Sequence, residues 1–136
     1  MKTLYKQINP PAFHRGIFYA FLLLFTCQGL FSQARVEVIE PKKNFGHVKR
    51  GKMVVLNYDV YNAGDSPLII LEAEVSCSCT NVLFSKEPIA PGKSTRVQVS
   101  FDTKSVYGRQ DRVVYLKSND PKGEARLYYK GHVSKK

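Results

Sequence analysis

The chain of 136 residues contains no tryptophan and only three cysteines. Two of these, Cys77 and Cys79, have a single residue between them, and the third, Cys27, precedes residues 35 to 136, so that segment holds no widely spaced pair to tie two sheets together. An antibody-type core, which packs a tryptophan against an inter-sheet disulfide, is thereby excluded. Also missing is any window with apolar residues sustained at a period of 3.6, which argues against a helical fold. There is no glycine-rich phosphate loop, no Gly-x-Ser-x-Gly and no His-Glu-x-x-His, so the enzyme classes built on those motifs have no foothold. No Gly/Ser-rich or Pro-rich linker and no internal repeat interrupts residues 35 to 136, and one domain is expected there.

The first sixteen residues carry Lys2, Lys6 and Arg15 and no acidic residue, and Ile17 to Phe25 then run IFYAFLLLF without a charge. A basic region followed by a short apolar run is the layout of a secretory signal. Ser32-Gln33-Ala34 places small residues at the offsets of a cleavage site, so residues 1–34 are read as a signal peptide and residues 35–136 as the mature domain. A retained anchor is the alternative, although Gln28, Gly29, Ser32 and Gln33 make the second half too polar to span hydrocarbon comfortably. Lipidation of Cys27 is a further route to the membrane, which Phe25 and Thr26 fit badly. The expected location is exported: periplasmic, outer-membrane-associated or extracellular. Cleavage would leave Cys77 and Cys79 as the remaining cysteines, in a compartment that permits disulfides.

The net charge is +10 from 21 lysines and arginines against 11 acids. Three of those cations precede residue 35, which leaves an excess of about seven on the domain. For an exported protein such a surface favours anionic lipid, lipopolysaccharide phosphates or acidic glycans over nucleic acid. The lysines are spread along the chain, and a solvated surface with a charge excess is the plainer reading.

Alternation with a period of two dominates the domain. Leu56, Tyr58 and Val60 share one parity and Asn57, Asp59 and Tyr61 the other, and Val97, Val99 and Phe101 alternate with Arg96, Gln98 and Ser100. That pattern marks half-buried strands. Pro41 breaks a first strand that resumes near Phe45, and the turn formers of Asn62 to Pro67, Pro88 to Lys93 and Ser118 to Pro121 separate the others. About seven short strands with frequent turns read as an all-β, immunoglobulin-like β-sandwich.

The blocks Phe45-Gly46-His47-Val48, Tyr61-Asn62-Ala63-Gly64, Pro67-Leu68-Ile69-Ile70, Ser76-Cys77-Ser78-Cys79-Thr80, Pro88-Ile89-Ala90-Pro91-Gly92, Val99-Ser100-Phe101-Asp102, Ser118-Asn119 and Gly131-His132-Val133 occur in that order. This succession resembles the DUF1573 family over residues 37 to 133. The resemblance implies an exported bacterial protein with an immunoglobulin-like domain akin to the ASH and major-sperm-protein sandwiches. It implies binding or scaffolding rather than a known activity. The family usually has glycine between the cysteines where this chain has Ser78, and a serine would occupy a positive-φ position only at some cost.

Cys77 and Cys79 are the candidates for chemistry. In an extended strand their Cα atoms would be about 6.6 Å apart, beyond the 5.5 to 6 Å that disulfides prefer, so a bond requires a kink. Such a bond closes almost no loop and stabilises the fold little. As thiolates they would suit copper(I) or, with two more ligands, zinc; His47 and His132 are the histidines available, and nothing in their spacing points to convergence. Three readings stand: a structural pair packing as small apolar groups, a redox-active pair, and a metal pair. A cysteine nucleophile served by His47 or His132 is the enzyme hypothesis, with no orienting acid in a recognisable arrangement. Glu72 and Glu74 read as a solvated strand face.

The expected function is a non-catalytic, exported binding or scaffolding module of the cell envelope, with a protein or envelope-polymer partner and no cofactor. Thiol-redox or metal handling through Cys77 and Cys79 is the alternative. Tyr107, Tyr115, Tyr128 and Tyr129 are candidate contact residues, since adjacent Tyr128 and Tyr129 must send one ring to each face of a strand. An exposed terminal strand is a second route to a partner, by strand addition.

Overall fold

The structure is a computed structural model that describes residues 32–135. The expected signal segment, apart from Ser32-Gln33-Ala34, and Cys27 with it, lie outside the described residues. Eight strands follow one another: β1 Val36–Val38, β2 Lys42–Lys49, β3 Met53–Asn62, β4 Ile70–Val75, β5 Thr80–Leu83, β6 Ser94–Asp102, β7 Gly108–Ser118 and β8 Ala125–Ser134. They form two four-stranded sheets, ordered β1-β3-β6-β5 and β2-β8-β7-β4. The fold is an all-β, immunoglobulin-like sandwich. It has one strand more than the sequence pattern indicates, because the segment interrupted at Pro41 yields two strands in different sheets. Proline supplies no N–H to a ladder and fixes φ, and here it marks the crossing, its carbonyl accepting from the Tyr128 N–H at 2.6 Å.

The core lies between the sheets. Tyr58, Val60, Val97, Val99 and Phe101 come from the first and Ile70, Val114, Leu116, Leu127, Tyr129 and Val133 from the second, all essentially inaccessible to solvent. Each such side chain contributes about 1.5 to 3 kcal/mol of hydrophobic stabilisation. The inward residues of β3 and β6 have the parity that the alternation assigns them.

The turn formers are structural knots. Asn62, fully buried, donates through Nδ2 to the carbonyls of Ser66 and Ile89, both at 2.8 Å, and accepts from the Gly64 N–H at 3.0 Å. Asn119 accepts from the Ile69 N–H at 2.8 Å and donates to the Pro67 carbonyl at 3.0 Å. Asp120 accepts from the Val36 N–H at 2.8 Å. Backbone groups that the ladders leave unpaired are satisfied this way. Ser32 to Ala34 belong to the packed unit: Ala34 is buried, and the Gln33 carbonyl accepts from the Asp65 N–H at 3.0 Å.

Strand addition at the terminal strand needs correction. β8 is not an edge, because β2 pairs with it in parallel on one side and β7 antiparallel on the other. The edges of its sheet are β2 and β4.

Candidate functional site

The cysteine stretch lies where the chain leaves the second sheet for the first. The extended strand read from the sequence is corrected here, because the Thr80 N–H folds back onto the Cys77 carbonyl at 3.1 Å and makes a turn. The turn brings the Cα atoms of Cys77 and Cys79 to 5.2 Å, and their sulfurs are joined in a disulfide. They therefore do not pack as two separate thiols, and in this form they offer no thiolate to a metal or a substrate. Ser78 meets no positive-φ demand, since glycines alone have positive φ among the described residues. Cys79 also packs against the core, and its carbonyl accepts from the Asp102 N–H at 2.8 Å, starting the β5–β6 ladder.

Of the four tyrosines, Tyr128 and Tyr129 do point to opposite faces. Tyr129 is corrected as a contact residue: it is 1% exposed, its ring lies 5.4 Å from Phe101 and 6.5 Å from Phe45, and its hydroxyl shares a 2.7 Å hydrogen bond with Thr80. Burial raises its phenol pKa, opposed by the Thr80 hydrogen bond and by Arg112. Burial, with Tyr129 adding to it, likewise pushes the Tyr58 phenol well up; its hydroxyl donates to the Tyr128 carbonyl at 2.9 Å. Tyr115 and Tyr128 are half-buried on the outward face of the second sheet, where the Arg126 guanidinium stands 5.5 Å from the Tyr115 ring. Tyr107 is exposed in the loop before β7, beneath the Lys135 ammonium at 4.9 Å.

That outward face is divided by charge. Toward the β4 edge, Lys117 sits between Glu72 and Glu74, and its hydrogen bond to Glu74 is the leading cause of its raised pKa. Toward the β2 edge, Lys42, Asn44, His47, Lys130, His132 and Arg109 share the face, with Asp111 opposite Lys130.

His47 and His132, whose spacing in the sequence points to no convergence, are brought together by the fold. They are register partners on parallel β2 and β8, with ring centroids 5.4 Å apart. A sequence signal existed: Gly46-His47-Val48 and Gly131-His132-Val133 repeat one tripeptide. Its meaning depends on a parallel pairing that alternation alone does not reveal.

Two adjoining hollows open beside the pair. One, of about 380 Å³, is lined by Asn44, His47, Arg109, Lys130 and His132 with Gly46 and Gly131. The other, of about 430 Å³, shares Asn44 and Lys130 and adds Lys42, Lys43, Asp111, Tyr128 and Tyr129. No group of three or more His, Cys, Asp or Glu side chains that could hold a metal occurs among the described residues.

Residues 36–133 match the family described as "Protein of unknown function (DUF1573)". The chain belongs to the DUF1573 family. No curated protein matches it. Among solved structures, the DUF1573 chain is similar to a protein of unknown function from Porphyromonas gingivalis W83, with a TM-score of 0.67 and 17% identity over 79% of this chain and 51% of that one. It is similar to the ASH / PapD-like domain 7 of human CEP192, with a TM-score of 0.58 and 11% identity over 99% and 96% of the two chains. It is also similar to the Vibrio cholerae VesB protease, with a TM-score of 0.55 and 19% identity over 86% of this chain and 35% of the protease. At these identities the likeness shows the fold alone. The DUF1573 chain spans about half the length of the Porphyromonas protein and about a third of VesB.

Proposed function

We propose that this DUF1573 domain is a non-catalytic binding module, exported to the cell envelope, that takes its partner on the outward face of the β2-β8-β7-β4 sheet. The observation that carries the reading is the pair of adjoining hollows on that face, which gather polar and cationic side chains from three strands. Concave sites with a few convergent polar groups are where ligands bind, and a rigid sheet fixes the spacing of these side chains, so that binding has only their rotamers to order. Catalysis finds less support: the sulfurs are bonded to each other, and Asp111, which faces Lys130 across the β7–β8 ladder, lies 3.7 Å from Arg109. The basic N-terminal stretch and the apolar run after it support export, and the cation excess on the domain supports an anionic envelope partner.

The test is cosedimentation of residues 32–136 with outer-membrane and peptidoglycan fractions at low and high salt. The domain is expected to pellet with one fraction, to be released by salt, and to lose that binding in the variant carrying Arg109→Glu and Lys130→Glu. Binding that persists unchanged in this variant would remove the face from the proposal, and no binding to any fraction would remove the envelope partner.

A further inference from the structure

The repeated tripeptide explains how the histidine pair is built. Parallel pairing sets Gly46 beside Gly131, His47 beside His132 and Val48 beside Val133. Both valines pack inward against the core, so the period-two alternation sends both imidazoles outward. The glycines make this possible. Gly46 has φ +72° at a bulge where the register shifts between Asn44 and Gly46, and the Asn44 side chain caps it by accepting from the Gly46 N–H at 2.9 Å. Gly131 makes room for the Phe45 ring, whose nearest atom lies 2.3 Å from where a Cβ would stand.

The groups facing the pair are mostly cationic. Arg109 on β7 is the register partner of His132, and Lys130 lies two residues before it on β8. Lys49 lies two residues beyond His47 on β2. Asp111 on β7 faces Lys130 and is engaged with Arg109 at 3.7 Å. A metal cation would meet this positive field and find no third ligand among the described residues. An anion would be attracted by it.

Geometry narrows the anion. Arg109 and Lys130 set two cations beside the imidazoles, which a phosphate monoester, with three free oxygens and nearly two charges, matches better than a singly charged carboxylate. A phosphate fills only part of the hollow over the histidines. The adjoining hollow offers the half-buried Tyr128 ring, a flat amphipathic surface, with Asn44 and Asp111 as hydrogen-bonding partners for hydroxyls.

We propose that the notch is a subsite for a phosphorylated glycan: the phosphate lies between His47 and His132, gripped also by Arg109 and Lys130, and its sugar ring lies along Tyr128. This rests on the binding-module reading and adds to it the chemistry of the partner.

The test uses glucose 6-phosphate, glucose and inorganic phosphate as probes on residues 32–136, read by calorimetry and by the imidazole NMR signals of His47 and His132. Glucose 6-phosphate is expected to shift both imidazole signals and to bind more tightly than glucose or inorganic phosphate. The double variant His47→Gln, His132→Gln should lose about tenfold in affinity, the scale of one charge-assisted hydrogen bond. Tyr128→Ala should reduce the sugar phosphate to the affinity of inorganic phosphate. Glucose binding as well as its phosphate, or affinity unchanged in the histidine variant, would overturn the inference. If glucose 6-phosphate moves neither imidazole while envelope binding still depends on Arg109 and Lys130, the glycan phosphate falls and the binding module stands.

Discussion

At the cysteine turn, Cys77 and Cys79 meet because they are neighbours in the chain. At the histidine notch, His47 and His132 meet because strands from opposite ends of the domain pair in parallel. The turn is local and half-buried: its disulfide closes almost no loop, and Cys79 packs over the core and anchors the β5–β6 ladder. The notch is nonlocal and open to solvent, its side chains are held apart by a rigid sheet, and its field is positive. The residues that look most reactive in the sequence thus sit where structure is made, and those that looked unrelated sit where a ligand can be reached.

Substitutions can sharpen this contrast, and the largest effect belongs behind the turn. Tyr129→Ala removes a ring in contact with Phe45 and Phe101 and leaves Thr80 without its hydroxyl partner. It should cost about 3 to 5 kcal/mol in denaturant unfolding. A loss below about 1 kcal/mol would mean that the turn and the ring beneath it are not part of the core. The same phenol and that of Tyr58 have raised pKa values in the fold. Their contribution is complete below the ordinary phenol value near 10.0 and is lost as pH climbs from there toward the folded values, because the unfolded chain ionises first. Melting temperature should therefore fall above about pH 10, and less steeply in Tyr58→Phe.

Gly131→Ala comes next and acts at the notch. Its Cβ would collide with the Phe45 ring, costing about 1 to 3 kcal/mol and disturbing the register that pairs the histidines. Wild-type stability in this variant would show that Phe45 can move aside and that the glycine is not needed for the pairing. Removing the disulfide with Cys77→Ser and Cys79→Ser should cost at most about 1.5 kcal/mol, because the closed loop is so short. The unmodified domain should show an intact mass two daltons below that of its reduced form; a larger stability loss would give the turn more weight than its loop length allows. Smallest of all, His47→Gln with His132→Gln should change stability by no more than about 0.5 kcal/mol, as for exposed positions generally, so that any change in ligand affinity reports on the notch itself.

Much of the fold is legible in single residues. Val97, Val99 and Phe101 against Arg96, Gln98 and Ser100 name the inner and outer faces of β6, and Pro41 marks the interruption between β1 and β2. The run Asn62 to Pro67 reads as a turn, although the hydrogen bonds that make Asn62 a knot involve Ile89, far along the chain. Alternation states that Tyr128 and Tyr129 part, but which ring goes inward depends on the opposing sheet. Terminal position made β8 look like an edge, and only the parallel pairing with β2 places it inside its sheet.

Parity and turn chemistry act over a few residues, so most of the strands, most of the turns between them and the sandwich class can be read directly from the chain. Which strands pair, that the chain turns at Cys77 to change sheets, and that two Gly-His-Val tripeptides lie side by side with Arg109 on the next strand are settled only by the packing of the domain. Those outcomes follow from burying two apolar faces against each other, and that is a property of the whole domain rather than of any stretch within it.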